Sequence, residues 1–279
     1  MNKITCNTKV ARTQSLNPNA WILLCVFAAF LCLPVHAQDK HVTTTKMLGV
    51  GYNVLQDTYL SPEDYSGLEL RYQSHTVRQQ DSCLWQRLII NEGYISQCRP
   101  QSKTGSTIGG AYHFQYGALR HIVTLPVGIS IHAGAQAEVL GGFFYNTRNG
   151  NNPAQMRASL DIGPMLKADY TLGKFQFMYE ASCPLIGLAF SPNYGQSYYE
   201  LFSEGHYDHN LVPTTIVCTP SFRNQLLVSV SLSRTHWRGT IGYLGDYNQM
   251  QVNGLKQHSY TSMFVIGLSR TLNFSANRQ

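Results

Sequence analysis

The stretch QHSYTSMFVIGLSRTLNF, residues 257–274, decides the fold. Its even positions are His258, Tyr260, Ser262, Phe264, Ile266, Leu268, Arg270, Leu272 and Phe274. Its odd positions are Ser259, Thr261, Met263, Val265, Gly267, Ser269, Thr271 and Asn273. One face is large and apolar, the other mostly small or polar. Successive side chains of a strand point to opposite faces, so a period of two held over this length describes a strand with a different solvent on each side. Arg270 falls on the apolar face but close to the strand's end, where a lipid-facing Arg costs only about 0–1 kcal/mol and can snorkel.

The same alternation continues upstream. Asn253-Gly254 is a two-residue hairpin signal that joins this strand to Trp237–Val252. From Met156 to Leu172 every even position is apolar, while the odd positions carry Arg157, Asp161, Lys167 and Asp169. Val127–Tyr145 keeps Ile, Ala, Val and Phe on odd positions against Ser130, His132, Gln136 and Glu138. Further strands are expected at 43–55, 67–78, 84–97, 106–118, 175–185 and from about 226 to 233. The 84–97 segment leaves open which of its faces is apolar. Ordinary strands are about 5–6 residues long, so alternation over seventeen argues for a membrane span over a soluble sandwich. The expected fold is all-β: an antiparallel up-and-down transmembrane β-barrel of about ten strands, with eight or twelve the alternatives.

Composition agrees. Tyr (17), Gly (23) and Phe (12) are plentiful while charged residues make up 13%, as aromatic girdles and tight turns require. Lys3, Lys9 and Arg12 precede the apolar run Trp21–Pro34, and Val35-His36-Ala37 offers small side chains to a signal peptidase. Residues 1–37 therefore read as a signal peptide cleaved near Ala37/Gln38, and 38–279 as one barrel domain. A chain cut there keeps 18 basic and 15 acidic groups, too balanced to suggest a nucleic-acid partner. The expected location is the outer membrane, with barrel-assembly machinery and outer-membrane lipid as partners. Cys83 and Cys98 bracket a strand roughly 50 Å long and cannot pair with each other; Cys98 with Cys218 stays open.

Parity puts both termini in the periplasm and the segments 56–65, 98–104, 146–155 and 191–215 outside the cell. The inward faces collect Glu69, Arg71, His75, His113, His132, Glu138, Arg157, Asp161, Lys167, Asp169, Glu180, Arg223, Arg238 and Asp246. Acids and bases nearly balance. A ten-strand barrel is little wider than one that its own side chains fill, so these groups are expected to form a hydrated plug of ion pairs. Outside, Tyr194, Tyr198, Tyr199 and Phe202 in the 191–215 segment form the expected contact surface for an extracellular partner. His206, Asp208 and His209 are weak candidates for rim chemistry, as a metal or proton-relay cluster would need such groups. No cofactor fingerprint, phosphate loop or nucleophile elbow occurs.

TYLSPEDYSG (58–67), NTRNGNNPAQ (146–155), FSPNYGQSYYELFS (190–203) and IGYLGDYNQMQVNGLKQHSYTSMFVIG (241–267) resemble a family of uncharacterised outer-membrane proteins of Gram-negative Bacteroidetes. The resemblance implies location and a β-barrel, and brings no catalytic residues. The residues themselves favour a binding or structural role, with a rim hydrolase of the omptin or lipid A-modifying kind, or a narrow solute channel, as rivals.

Overall fold

The computed structural model describes residues 41–79, 84–232 and 237–273. The signal peptide, Cys83 and Phe274 lie outside the described residues. Within them the chain forms β1 His41–Asp57, β2 Ser61–Gln79, β3 Trp85–Pro100, β4 Thr107–Thr124, β5 Ser130–Asn146, β6 Ala154–Leu172, β7 Phe175–Ser182 and β8 Ile186–Phe190. Helix α1 Tyr198–Phe202 follows, then β9 Leu211–Thr215, β10 Ser221–Ser231, β11 Trp237–Val252 and β12 Leu255–Asn273. All pairings are antiparallel. β1–β7 and β10–β12 close a ten-strand barrel, sealed by β1 against β12 and by β5 against β6. Closure leaves none of these ten strands at an edge, which hydrocarbon demands because it offers backbone groups no hydrogen bonds.

β8 and β9 are two additional strands, continuing β7 and β10 outward beyond a break. On the β7 side the chain runs through Pro184, which has no N–H to give. Cys183 and Leu185 keep the contact by donating to the carbonyls of Pro164 and Ile162. Gly163 permits this close approach, since a Cβ there would lie 2.1 Å from the Cys183 carbonyl oxygen. On the β10 side, residues 216–219 coil into a turn closed by Cys218 and Thr219 N–H on the Thr215 carbonyl. The sequence expectation of one long loop over 191–215 is therefore corrected. Its last five residues are β9, paired to β8, and its middle holds a helix.

Alternation sorts the two solvents. On β12, Phe264 and Ile266 are 76% and 66% exposed on the outer face, while Ser259, Thr261, Met263 and Val265 are buried inside. Lipid-facing polar atoms find partners on the same face: Tyr112 Oη donates to Asn91, and Ser262 clusters with the Tyr243 and Tyr247 hydroxyls. Arg270 lies over the Trp237 ring, 5.4 Å from its centroid, a cation–π contact at the periplasmic rim. Asn253 and Gly254 take positive φ of 52° and 74° in the β11–β12 turn. A left-handed two-residue hairpin requires those angles.

The lumen is not the purely ionic plug that charge pattern suggests. Met47, Leu227, Leu244, Met263 and Val265 pack into one apolar cluster, and Leu88, Ile90, Leu119 and Met165 into another. The second cluster draws on β3, which has apolar residues on both faces: Leu88 and Ile90 point inward with Glu92, Tyr94, Ser96 and Cys98, while Trp85, Ile89 and Ile95 point outward. Cys98, Cys183 and Cys218 are free thiols. Cys98 is buried against Leu55, Tyr65 and Phe144, and no Cys98–Cys218 bridge forms.

Candidate functional site

Glu92 is the hub of the lumen. Arg223 donates a fork to it, Nη1 to Oε1 at 2.7 Å and Nη2 to Oε2 at 2.6 Å. Around the ring β3 and β10 are five strands apart in either direction, so this pair crosses the full barrel. Arg71 on β2 donates to Glu92 at 3.1 Å, to Glu69 at 2.6 Å and to Asp246 at 2.6 Å. Glu69 is completed by Asn53 and Thr261. His113 meets Glu92 through Nδ1 at 3.0 Å and Glu138 through Nε2 at 3.5 Å. Charges this deeply buried persist only when paired and hydrogen-bonded.

The bridging repeats at successive levels down β2. Gln73 donates to Gln225 at 3.1 Å, and His75 meets Glu180 on the diametrically opposed β7 at 2.9 Å. Below them Lys167 donates to Asp169 at 2.5 Å and to Gln86 at 3.2 Å, with His132 facing Asp169 at 3.6 Å. Arg157 donates to Tyr94 Oη at 2.6 Å and lies over the Phe144 ring. With Asp161 and Glu138 it borders an outer cavity of about 90 Å³, room for a few waters. A second cavity, about 330 Å³, lies in the periplasmic half beneath His75. Arg238 bonds Gln176 at its edge.

The inward faces thus divide into three places. Glu69, Arg71, Glu138, Arg157, Asp161 and Asp246 gather in the outer half. Glu180 holds the middle, and His132, Lys167 and Asp169 lie toward the periplasm. Glu92 was missed from sequence because β3 has polar residues on both faces. The signal was there: Arg87 sits near the periplasmic edge, where an outward Arg is cheap, whereas Glu92 sits mid-span and must face inward.

Over the outer mouth, residues 191–210 form an ordered cap. Ser197 and Glu200 make a reciprocal capping box that starts α1. Gln196 ties the loop together: its Oε1 accepts from Asn193 N–H and Asn210, and its Nε2 donates to the His206 carbonyl. Asn253 donates to the Ser191 and His209 carbonyls, clamping the cap to the β11–β12 turn. On the far side Tyr59 Oη donates to the Gln196 carbonyl, and Tyr198 Oη accepts the Met156 N–H at 2.7 Å. The Tyr59 and Tyr198 rings meet edge to face at 5.7 Å. Burial, with Asp57 and Glu200 nearby, pushes the Tyr59 hydroxyl up to about 12, and burial raises Tyr198 too. Both stay neutral at physiological pH.

Of the four aromatic residues expected as a contact surface, Tyr194, Tyr199 and Phe202 are exposed, and Tyr207 joins them. Tyr198 does not; it is a clasp turned toward the barrel. The rim candidates are not assembled into one site. His206 pairs with Glu204 at 3.2 Å, and His209 with Asp208 at 2.5 Å, all largely in solvent. Among the described residues no group of three or more His, Cys, Asp or Glu is placed to hold a metal ion.

Residues 20–279 match a family described as "Protein of unknown function (DUF3316)". The chain belongs to that family. No curated protein matches this DUF3316 chain in sequence. In structure it is similar to the outer-membrane protease OmpT from Escherichia coli, at TM-score 0.50 and 8% identity, over 86% of this chain and 99% of that one. It also aligns with the transport unit of the autotransporter AIDA-I from Escherichia coli (TM-score 0.45, 7% identity, 92% and 98% covered). A further alignment is with the translocator domain of the autotransporter NalP from Neisseria meningitidis (0.39, 11%, 90% and 95%). The fold is that of an outer-membrane β-barrel. At such identities the likeness extends to the fold alone.

Proposed function

We propose that this protein is a closed barrel of the Gram-negative outer membrane that works by recognition at its outer face, not by passage through its lumen. It is exported by the 1–37 leader, cleaved near Ala37/Gln38, and inserted by the barrel-assembly machinery; the motifs at 58–67, 146–155, 190–203 and 241–267 favour a Bacteroidetes origin. The observation that carries the closed lumen is the Glu92–Arg223 fork between diametrically opposed strands. A conducting pathway would have to break it and leave charges unpaired in a confined space, at a cost of several kcal/mol. Recognition rests on the cap. Its polar residues lock its shape, and Tyr194, Tyr199, Phe202 and Tyr207 are left facing outward, the residue types that give contact area at low entropy cost. An extracellular partner at 191–215 is the reading these residues support. A rim hydrolase draws less support, because His206 and His209 each pair with one neighbouring carboxylate in open solvent.

Reconstitution into planar bilayers, with and without residues 193–210, tests both halves. The plug lies beneath the cap, so both proteins should show almost no single-channel conductance, and only the full chain should retain a surface partner. Steady ion conduction by the full chain would overturn the closed lumen. Partner binding that survives loss of the cap would overturn recognition there.

A further inference from the structure

We infer that Asp57 is a proton-operated latch on the cap: protonated, it stays buried beneath the Tyr59–Tyr198 clasp, and ionised, it favours release of that clasp so that water can reach it. Among the described residues four acids are buried, Asp57, Glu69, Glu92 and Glu180. Three of them face a basic group: Glu69 meets Arg71, Glu92 meets Arg223 and Glu180 meets His75. Asp57, 4% exposed, has only neutral donors among the described residues. The Tyr59 N–H reaches its Oδ1 at 3.0 Å. The Gln155 amide, with its nitrogen toward Asp57, lies 3.1 and 3.2 Å from the two carboxyl oxygens. Turned the other way, the same amide presents Oε1, which accepts from a neutral carboxyl, so Gln155 can serve either protonation state. A buried carboxylate with no cation beside it is costly, and such a group takes up a proton instead.

The surroundings tie that proton to the cap. Asp57 is the last residue of β1, and the outward side chains at its level, Gln56 and His258, are polar, so it stands above the hydrocarbon. Arg157 on β6 acts on it through space but is engaged with Tyr94 and the Phe144 ring. Tyr59, from the β1–β2 turn, and Tyr198, on α1, both feel its charge, and Glu200 on α1 adds a second negative charge near Tyr59. Burial outweighs Arg157 and the Tyr59 and Leu60 N–H groups and pushes the Asp57 carboxyl up to about 7. The same two tyrosines hold the cap: Tyr59 donates to the Gln196 carbonyl, and Tyr198 accepts the N–H of Met156, the residue after Gln155. An acid whose carboxyl is raised in the closed state favours that state at low pH. The stabilisation is fully present below about 4, is lost as pH rises toward 7, and changes no further above it. Between those limits the opening constant should rise by up to about tenfold per pH unit. The latch does not require the cap to bind a partner, so it stands or falls apart from the recognition proposed above.

The test is limited proteolysis of the full barrel in lipid between about pH 5 and pH 8, with protease dilute enough for cutting to follow the open population. Each rate is divided by that of an unstructured peptide with the sequence of residues 191–210, which removes the protease's own pH dependence. Cutting within the cap should be at least about tenfold faster at pH 7 than at pH 5 and level at higher pH. Asp57→Asn, uncharged throughout, should hold the slow rate across the range. Any pH dependence carried by the exposed His206 and His209 would persist in that variant and is told apart by it. Should Asp57→Asn fail to fold, the Asp57 carboxyl carbon of the unaltered barrel, followed by carbon-13 NMR, should titrate near pH 7. A normalised rate that stays flat from pH 5 to pH 7, a slope unchanged in Asp57→Asn, or an Asp57 carboxyl already ionised at pH 5 would each overturn the latch.

Discussion

The two halves of the lumen are lined by the same strands and end differently. In the outer half, long charged side chains from β2, β3, β10 and β11 meet at the centre around Glu92, leaving a cavity of about 90 Å³. In the periplasmic half, the inward positions of β1, β10 and β12 carry Thr45, Ser229 and Ser269, which stop short of the centre and leave about 330 Å³. Side-chain length, with charge to justify it, decides whether a ten-strand barrel is filled or hollow. The apolar layers around Met47 and Leu88 lie alongside the bridges and keep the two halves apart.

That contrast predicts unequal consequences for removing one charge. Glu92→Ala removes both acceptors of the Arg223 fork, leaving that buried guanidinium only Asp246 at 3.5 Å, while Arg71 keeps Glu69 and Asp246. It should cost about 3–5 kcal/mol in reversible urea unfolding of the reconstituted barrel. Lys167→Met leaves Asp169, which is part-exposed beside the 330 Å³ cavity where water can solvate it, and should cost about 1 kcal/mol. Equal losses would erase the distinction between the halves. A smaller effect belongs to the cap. Tyr59→Phe removes one hydrogen bond to the Gln196 carbonyl, a local loss of about 1 kcal/mol. Limited proteolysis should nick residues 191–210 several-fold faster while the barrel's unfolding midpoint stays put. A fall in that midpoint would mean that cap and barrel unfold together.

Much of the barrel was legible because lipid enforces a period of two. Met156–Leu172 and 257–273 could be assigned to faces residue by residue. The Asn253-Gly254 turn carried its own backbone chemistry. β3 resisted because its two faces are similar in polarity and only depth in the membrane separates Glu92 from Arg87. The break at Pro184 and the coil at 216–219 also escaped, since both are consequences of pairing with β6 and β11, not of local pattern. In the cap, the aromatic residues were visible as a group, but which of them faces outward depends on Tyr59 and Met156, far away in the chain. Tyr198 turned inward for that reason. The partnering of lumen charges was readable as a balance, never as pairs, because it spans strands up to five places apart around the ring.

Glu92 and Arg223 tie β3 to β10 across the lumen. A double-mutant cycle with Glu92→Gln and Arg223→Met, read by unfolding free energy in lipid, measures that tie directly. The two substitutions should couple by more than about 1 kcal/mol, the double variant losing less than the separate losses combined. Additivity within about 0.5 kcal/mol would contradict a bridged lumen.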